Sequence, residues 1–181
     1  CSSDLGVDSL LLNRTFGLPA DADRGLVETV VGGYARAGID RFWIHVGPGG
    51  RHGRLGRRLG ELGVAPYRRS MVKLARRPRG WRPAVSTDLE IRPVRAGDAP
   101  RAGAIFAHGF DMPSAAGELF VTLVGRERWW VVGAYDASTL VGAGALFVAD
   151  GVGCLAFSAT DPDHRRRGAH AALMDARIAA A

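Results

Sequence analysis

The sequence predicts an α/β chain of the α+β kind, a mixed, mostly antiparallel sheet flanked by helices. Three observations lead there. Strand-sized apolar runs alternate with segments whose apolar residues recur at helical spacing. Trp129 to Tyr135, Leu140 to Val148 and Val152 to Thr160 follow one another with only short turns between them, which suits an antiparallel meander. Asp150-Gly151, between the last two runs, is strong two-residue hairpin chemistry.

Composition bounds the class. Apolar residues make up 47% of the 181 and charged residues 23%, the mix of a soluble globular chain of one ordinary domain or two small ones. No apolar run approaches the ~20 residues of a membrane span, and no signal-peptide pattern opens the chain, so no membrane partner is expected. Cys1 and Cys154 are the only cysteines. They lie far apart without partners at metal-ligand spacing, so no metal is expected, and a reducing cytoplasm fits best. Cys154 reads as a small buried side chain in a strand. The net charge is +6, and Lys73 is the only lysine. The arginines are spread along the chain beside no aromatic array, so nucleic acid is the lesser reading. An anionic small molecule suffices for the one dense cluster, Arg165 to Arg167.

The elements follow in order. Cys1 to Leu5 resembles the translated end of a sequencing adapter and is set aside as a non-native leader. Leu10 to Phe16 is a short strand. Leu26, Val27, Val30, Val31 and Tyr34 recur at helical spacing, with Asp21 and Asp23 as candidate caps and Gly38 as the stop. Arg41 to Val46 is a strand, broken by Gly47-Pro48-Gly49-Gly50. Arg51 to Leu62 carries Leu55, Leu59 and Leu62 on one helical face and closes at Gly63. Tyr67 to Leu74 is a further strand. Residues 79–86, with Gly80 and Pro83 among charges, form a linker.

Beyond the linker, Leu89 to Val94 is a strand. Asp98 is the expected cap of the next helix, with Pro100 in its first turn, and Ile105, Phe106 and Phe110 supply its apolar face. Met112-Pro113-Ser114 opens a second helix with Leu119, Phe120 and Leu123 inward. After the three-strand meander, Arg165 to Gly168 leads into a last helix with Ala172, Leu173, Ala176 and Ala180 near one face. That helix stops at Ala181 without a cap pattern. Both ends of the chain therefore read as truncated.

The order of elements from Thr87 onward, with an arginine-rich loop at the mouth of the last strand, resembles the GNAT superfamily of N-acetyltransferases. The family signature is Gln/Arg-x-x-Gly-x-Gly/Ala. Arg165 fills its first position and Gly168 its fourth, while His170 stands where the family prefers Gly or Ala. The resemblance runs from Thr160-Asp161-Pro162 through Ala172-Leu173-Met174 and covers about residues 86–181. It implies that Arg165, Arg166, Arg167, Gly168, Ala169, His170 and Ala171 hold the pyrophosphate of acetyl-CoA, the acyl donor. The physics is plain: a helix start offers unpaired N–H groups and the positive end of its dipole, successive loop amides make an anion nest, and glycine lets the backbone approach. His170 obstructs the loop if it points inward. The resemblance further implies that backbone groups of Ser158, Ala159 and Thr160 meet the pantetheine arm.

The acceptor side is less marked. The family shapes it with the two helices after the first strand, which here points to Phe110 and Asp111. The bland alternative is a helix-capping aspartate beside a core phenylalanine. His108, Glu118 and Tyr135 are further candidates, with no spacing to choose among them. The family's general-acid tyrosine follows a fifth strand, and this chain ends before that point, so the catalytic residues are unassigned. The implied partner is a small-molecule or peptide amine.

The first half, read as strand, helix, strand, helix, strand, resembles the second half of a GNAT domain. Its equivalent loop, Gly17 to Asp21, lacks Arg-x-x-Gly and carries an acid. Residues 6–78 thus read as a degenerate GNAT-like C-terminal half and 87–181 as the N-terminal half of a competent one, in a tandem protein. Gly47 to Arg51 fails both Gly-rich phosphate-loop patterns. Three functions remain in play: an acetyl-CoA-dependent N-acetyltransferase, a non-catalytic module binding CoA or a protein, and a basic nucleic-acid-binding domain.

Overall fold

The structure is a computed structural model, and it describes residues 9–10, 12–47, 50, 53–67, 80–82 and 86–181. The chain divides into two compact units, Cys1–Leu74 and Ala75–Ala181. The leader expected over 1–5, all but Tyr67 of the strand expected over 67–74 and half of the linker expected over 79–86 lie outside the described residues.

The first unit holds β1 (Arg14–Thr15), α1 (Arg24–Arg36), β2 (Trp43–Ile44) and α2 (Arg54–Glu61). β1 and β2 pair in parallel, with α1 between them in sequence, as a parallel connection requires. The first strand is shorter than its apolar run: the Ser9 carbonyl accepts from the amides of both Leu12 and Asn13, turn bonds that come before β1. Of the two candidate caps for α1, Asp23 is used: its Oδ1 accepts from Leu26 N at 2.7 Å. Gly38, at φ +67°, ends the helix as the sequence predicts. Ala22 and Val27 pack with Leu55 and Leu59, one turn apart on α2, as the core of this unit.

The second unit holds β3 (Glu90–Pro93), α3 (Ala99–Gly109), α4 (Ser114–Val121), β4 (Trp129–Asp136), β5 (Thr139–Ala149), β6 (Val152–Thr160) and α5 (Ala169–Ala180). Its four strands run in the order β3-β4-β5-β6, antiparallel throughout. Parallel pairing among the described residues is therefore confined to the first unit. Asp150 and Gly151 both have positive φ, 49° and 73°, the backbone a two-residue primed turn demands.

Strand alternation divides the sheet's residues between two covers. Val132, Ala134 and Val141 pack against Ala169 and Leu173 of α5, with Leu89. Burying a side chain such as Leu173 contributes about 2 kcal/mol. On the other face Phe157 meets Phe106 of α3 edge-on at 5.4 Å. Asp98 precedes α3, yet its side chain makes no cap. Its Oδ2 instead accepts from the Tyr135 hydroxyl at 3.0 Å, tying the helix start to β4. Gly103 of α3 and Gly117 of α4 let the two backbones touch: a Cβ on Gly103 would sit 2.5 Å from the Gly117 carbonyl oxygen.

Cys154 is exposed, contrary to the buried residue expected, because β6 is the edge strand. Among the described residues no helix is long and apolar enough to cross a membrane.

Candidate functional site

The loop between β6 and α5 is built from local backbone preferences. Asp161 Oδ1 accepts from Asp163 N at 3.2 Å, closing a 3-10 turn over Pro162–His164. The Asp161 carboxylate also pairs with the Arg101 guanidinium, which anchors the loop to α3. Two left-handed residues follow, Arg166 at φ +65° and Gly168 at φ +79°. Glycine takes that conformation freely; for arginine it is strained. Arg167 lies between them.

The three arginines divide by role. Arg167 donates from Nη1 to Asp136 Oδ2 at 2.6 Å and from Nη2 to Asp88 Oδ2 at 2.5 Å. Its carbonyl accepts from Thr87 Oγ1 at 2.7 Å. The hydrogen bonds from Arg167 hold Asp136 and Asp88 below the usual aspartate range, and the two carboxylates, Asp136 first, raise Arg167 in turn. His164 stands 3.9 Å from carboxylate oxygens of both Asp136 and Asp161. The Arg167 side chain, expected to face a ligand with Arg165 and Arg166, is thus paired with two carboxylates within the fold. Arg165 and Arg166 are exposed and have no ion-pair partner among the described residues. A cleft of about 590 Å³ lies between 86–88 and 166–168.

Helix α5 starts at this point with open donors. Gly168 is its N-cap, and no side chain caps it. The first intrahelical bond runs from Ala172 N to Gly168 O at 3.0 Å, so the amides of Ala169, His170 and Ala171 have no acceptor within the helix. The His170 ring is drawn towards β6, its Nδ1 3.3 Å from Ser158 Oγ.

β6 runs into the loop with its outer edge unpaired among the described residues. Asp161 N donates to Val141 O at 2.8 Å, which fixes the ladder's phase. Ala159 then exchanges its backbone bonds with Ala143, while Ser158 and Thr160 turn N–H and C=O outward. The three residues expected to meet the arm therefore differ: the Ala159 backbone is committed to β5. The phase changes at a bulge, since Gly144 pairs with Ser158 but Ala145 with Ala156. Phe157 is the extra residue, at φ +47°.

On the acceptor side, Asp111 is not an N-terminal cap. Met112 N donates to Ala107 O at 2.8 Å and Asp111 N to His108 O at 3.2 Å, the Schellman pattern that closes the C-terminus of α3. Asp111 occupies its left-handed position at φ +52°, where glycine is usual. Phe110 is 40% exposed rather than core. His108 and Glu118 line a groove of about 510 Å³ between α3 and α4, and Phe110 and Asp111 do not line it. Tyr135 is buried, as an interior strand residue would be.

Asp88, Asp136 and Thr87 were missed as parts of the loop's support, because nothing in their spacing points to Arg167. Arg177 was missed too. It is 2% exposed and lies under the bulge, in a helix that reads as alanine-rich and ordinary.

No protein-family profile and no curated protein matches the chain. Among solved structures it is similar to an aminoglycoside acetyltransferase from an uncultured soil metagenomic sample, at 19% identity and a TM-score of 0.41, over 49% of this chain and 68% of that one. It is similar to a ribosomal-protein-alanine N-acetyltransferase from Brucella melitensis, at 22% identity and a TM-score of 0.40, over 49% of this chain and 67% of that one. It is also similar to a GCN5-related glucosamine N-acetyltransferase region of a fungal beta-N-acetylglucosaminidase, at 18% identity and a TM-score of 0.44, over 54% of this chain and 12% of that one.

Proposed function

We propose that residues 87–181 form the acetyl-CoA-binding half of a GNAT-type N-acetyltransferase, which moves an acetyl group from acetyl-CoA to an amine. One observation carries this reading. The uncapped start of α5, the left-handed Gly168 and the unpaired Arg165 and Arg166 converge at the end of a strand whose outer edge is open. Pyrophosphate needs several donors and positive charge in one place, and a helix start beside free arginines supplies both. The outward N–H and C=O of Ser158 and Thr160 suit an extended amide chain such as pantetheine, which would lie along β6 as an added strand.

In this reading the amides of Ala169, His170 and Ala171 bind the pyrophosphate, and Arg165 and Arg166 add charge from the rim. Arg167 shapes the loop without touching the ligand. His170, leaning on Ser158, lies beside the path of the arm. The acceptor amine attacks the thioester carbonyl directly and gives its proton to a base, often through water; the C–S bond then breaks, leaving the amide and CoA, whose thiolate takes up a proton. A cytoplasmic setting follows from the donor.

The test is a thermal-shift titration with acetyl-CoA of the chain and of an Arg165→Glu, Gly168→Asp double variant. Stabilisation of the first alone supports donor binding; equal behaviour sinks it. Transfer of labelled acetyl to an amine panel then separates an enzyme from a CoA-binding module. Salt-sensitive DNA binding with no effect of CoA would replace the reading with a nucleic-acid-binding one.

A further inference from the structure

Arg177 lies under the sheet with no carboxylate partner among the described residues, and its bonds all go to carbonyls. Nε donates to Leu173 O at 2.9 Å, within α5. Nη1 donates to Ala145 O at 3.2 Å and to Ala156 O at 3.1 Å. Those two residues are the last regular pair before the ladder slips at Phe157. Gly144 makes room for the group: a Cβ there would stand 2.9 Å from the guanidinium carbon. Burial pulls the Arg177 pKa down to about 10, which still leaves the group charged at neutral pH.

A bulge interrupts the ladder and leaves backbone groups in need of partners. A fork of donors fixed by α5 meets that need from one side of the sheet. The bulge in turn sets the phase of everything after it. Without the extra residue, Gly144 would face Phe157, Ala159 would turn outward, and Ser158 and Thr160 would bond to β5.

We infer that Arg177 is a positioning residue: it holds the Phe157 bulge in place and so decides which amides of β6 face the open edge. The functional part of this inference rests on the reading of that edge as the acetyl-CoA site; the structural part does not. Arg177 touches no ligand. It couples α5, which carries the pyrophosphate loop, to the strand that would carry the arm.

The experiment compares Arg177→Met, Arg177→Lys and Val132→Ala in the full chain. Val132 is a buried β4 residue packed against α5; it stands across the ladder from Gly144 but gives the bulge no hydrogen bond, so its variant controls for lost packing beside the bulge. Acetyl-CoA affinity is measured by calorimetry below each melting transition, and amide exchange at Ser158, Ala159 and Thr160 by NMR. Arg177→Met is expected to bind about tenfold more weakly, the equivalent of one lost charge-assisted hydrogen bond. Arg177→Lys should recover part of that loss, and Val132→Ala should bind as the parent does. In Arg177→Met the alternation of exchange, fast at Ser158 and Thr160 and slow at Ala159, should disappear. Retained alternation overturns the inference, as does equal weakening in Arg177→Met and Val132→Ala. If the parent chain itself binds no acetyl-CoA, the donor reading fails, and the exchange pattern alone still decides the role of Arg177. Should Arg177→Met not fold, Gly144→Ala displaces the guanidinium by contact and must abolish the alternation in the same way.

Discussion

Arg167 and Asp136 join the start of α5 to the β4–β5 turn through a 2.6 Å hydrogen bond between residues 31 apart in sequence. Asp88 completes the fork from the chain entering β3. The pair explains why an arginine-rich loop has a fixed shape: one of its three charges is neutralised internally, and the other two are left facing water.

This clamp makes the loop acid-sensitive. Asp136 and Asp88 are both held below the usual aspartate value of about 4. A carboxylate with a depressed folded-state pKa contributes stability above its unfolded pKa, and that contribution is lost as pH falls through the folded value. Thermal melts should therefore show a decline below about pH 4 that is shallower in an Asp88→Asn, Asp136→Asn variant. Parallel melting curves for the two proteins across that range would remove the clamp from the explanation.

Gly168→Ala tests the loop's backbone. At φ +79° an alanine costs about 1 kcal/mol. Under the proposed function its methyl would also stand where the pyrophosphate approaches the amides. Denaturant unfolding should report the small loss of stability, and acetyl-CoA titration a much larger loss of affinity. A variant that loses stability but keeps affinity would place the ligand elsewhere.

Asp111→Gly should make the protein more stable, by about 0.5–1 kcal/mol, because glycine suits the left-handed end of a Schellman motif and aspartate does not. A strained residue at a site is a hint of use. If Asp111 attracts the acceptor amine, the same variant loses acetyl transfer while it gains stability. Should activity rise with stability, Asp111 is only a helix end.

Tyr135 carries a second pH signature. Burial first, and its bond to Asp98 next, push its pKa up to about 12. A raised folded-state value contributes stability present below the ordinary tyrosine pKa of about 10 and lost as pH rises through the folded value. Phenolate absorbance should show a late-titrating step from Tyr135. Tyr135→Phe should remove that step and cost about 1 kcal/mol, as expected for one hydrogen bond.

The meander was legible because its turns are local. Asp150-Gly151 states its own backbone conformation, and Val152 to Thr160 is bounded by a turn on one side and Pro162 on the other. The start of α5 was legible through Gly168 for the same reason. Arg165, Arg166 and Arg167 are alike in sequence, and only Asp88, 79 residues away, and Asp136 separate the third from the others. The Phe157 bulge left no mark either, since phenylalanine is an ordinary strand residue, so Ser158, Ala159 and Thr160 could not be told apart. Cys154 looked buried because its neighbours are apolar, and its position on an edge strand is set by sheet order.

The contact between Gly103 and Gly117 has a mechanical consequence. Two helices whose backbones touch have no layer of side chains between them to act as a bearing. Sliding by a turn would carry a Cβ-bearing residue of the same face, Ala99 or Ala107, towards the opposing carbonyl, so α3 and α4 travel together. Any adaptation of the groove between them must come from the 110–113 connection, whose strained Asp111 is the natural point of flexure.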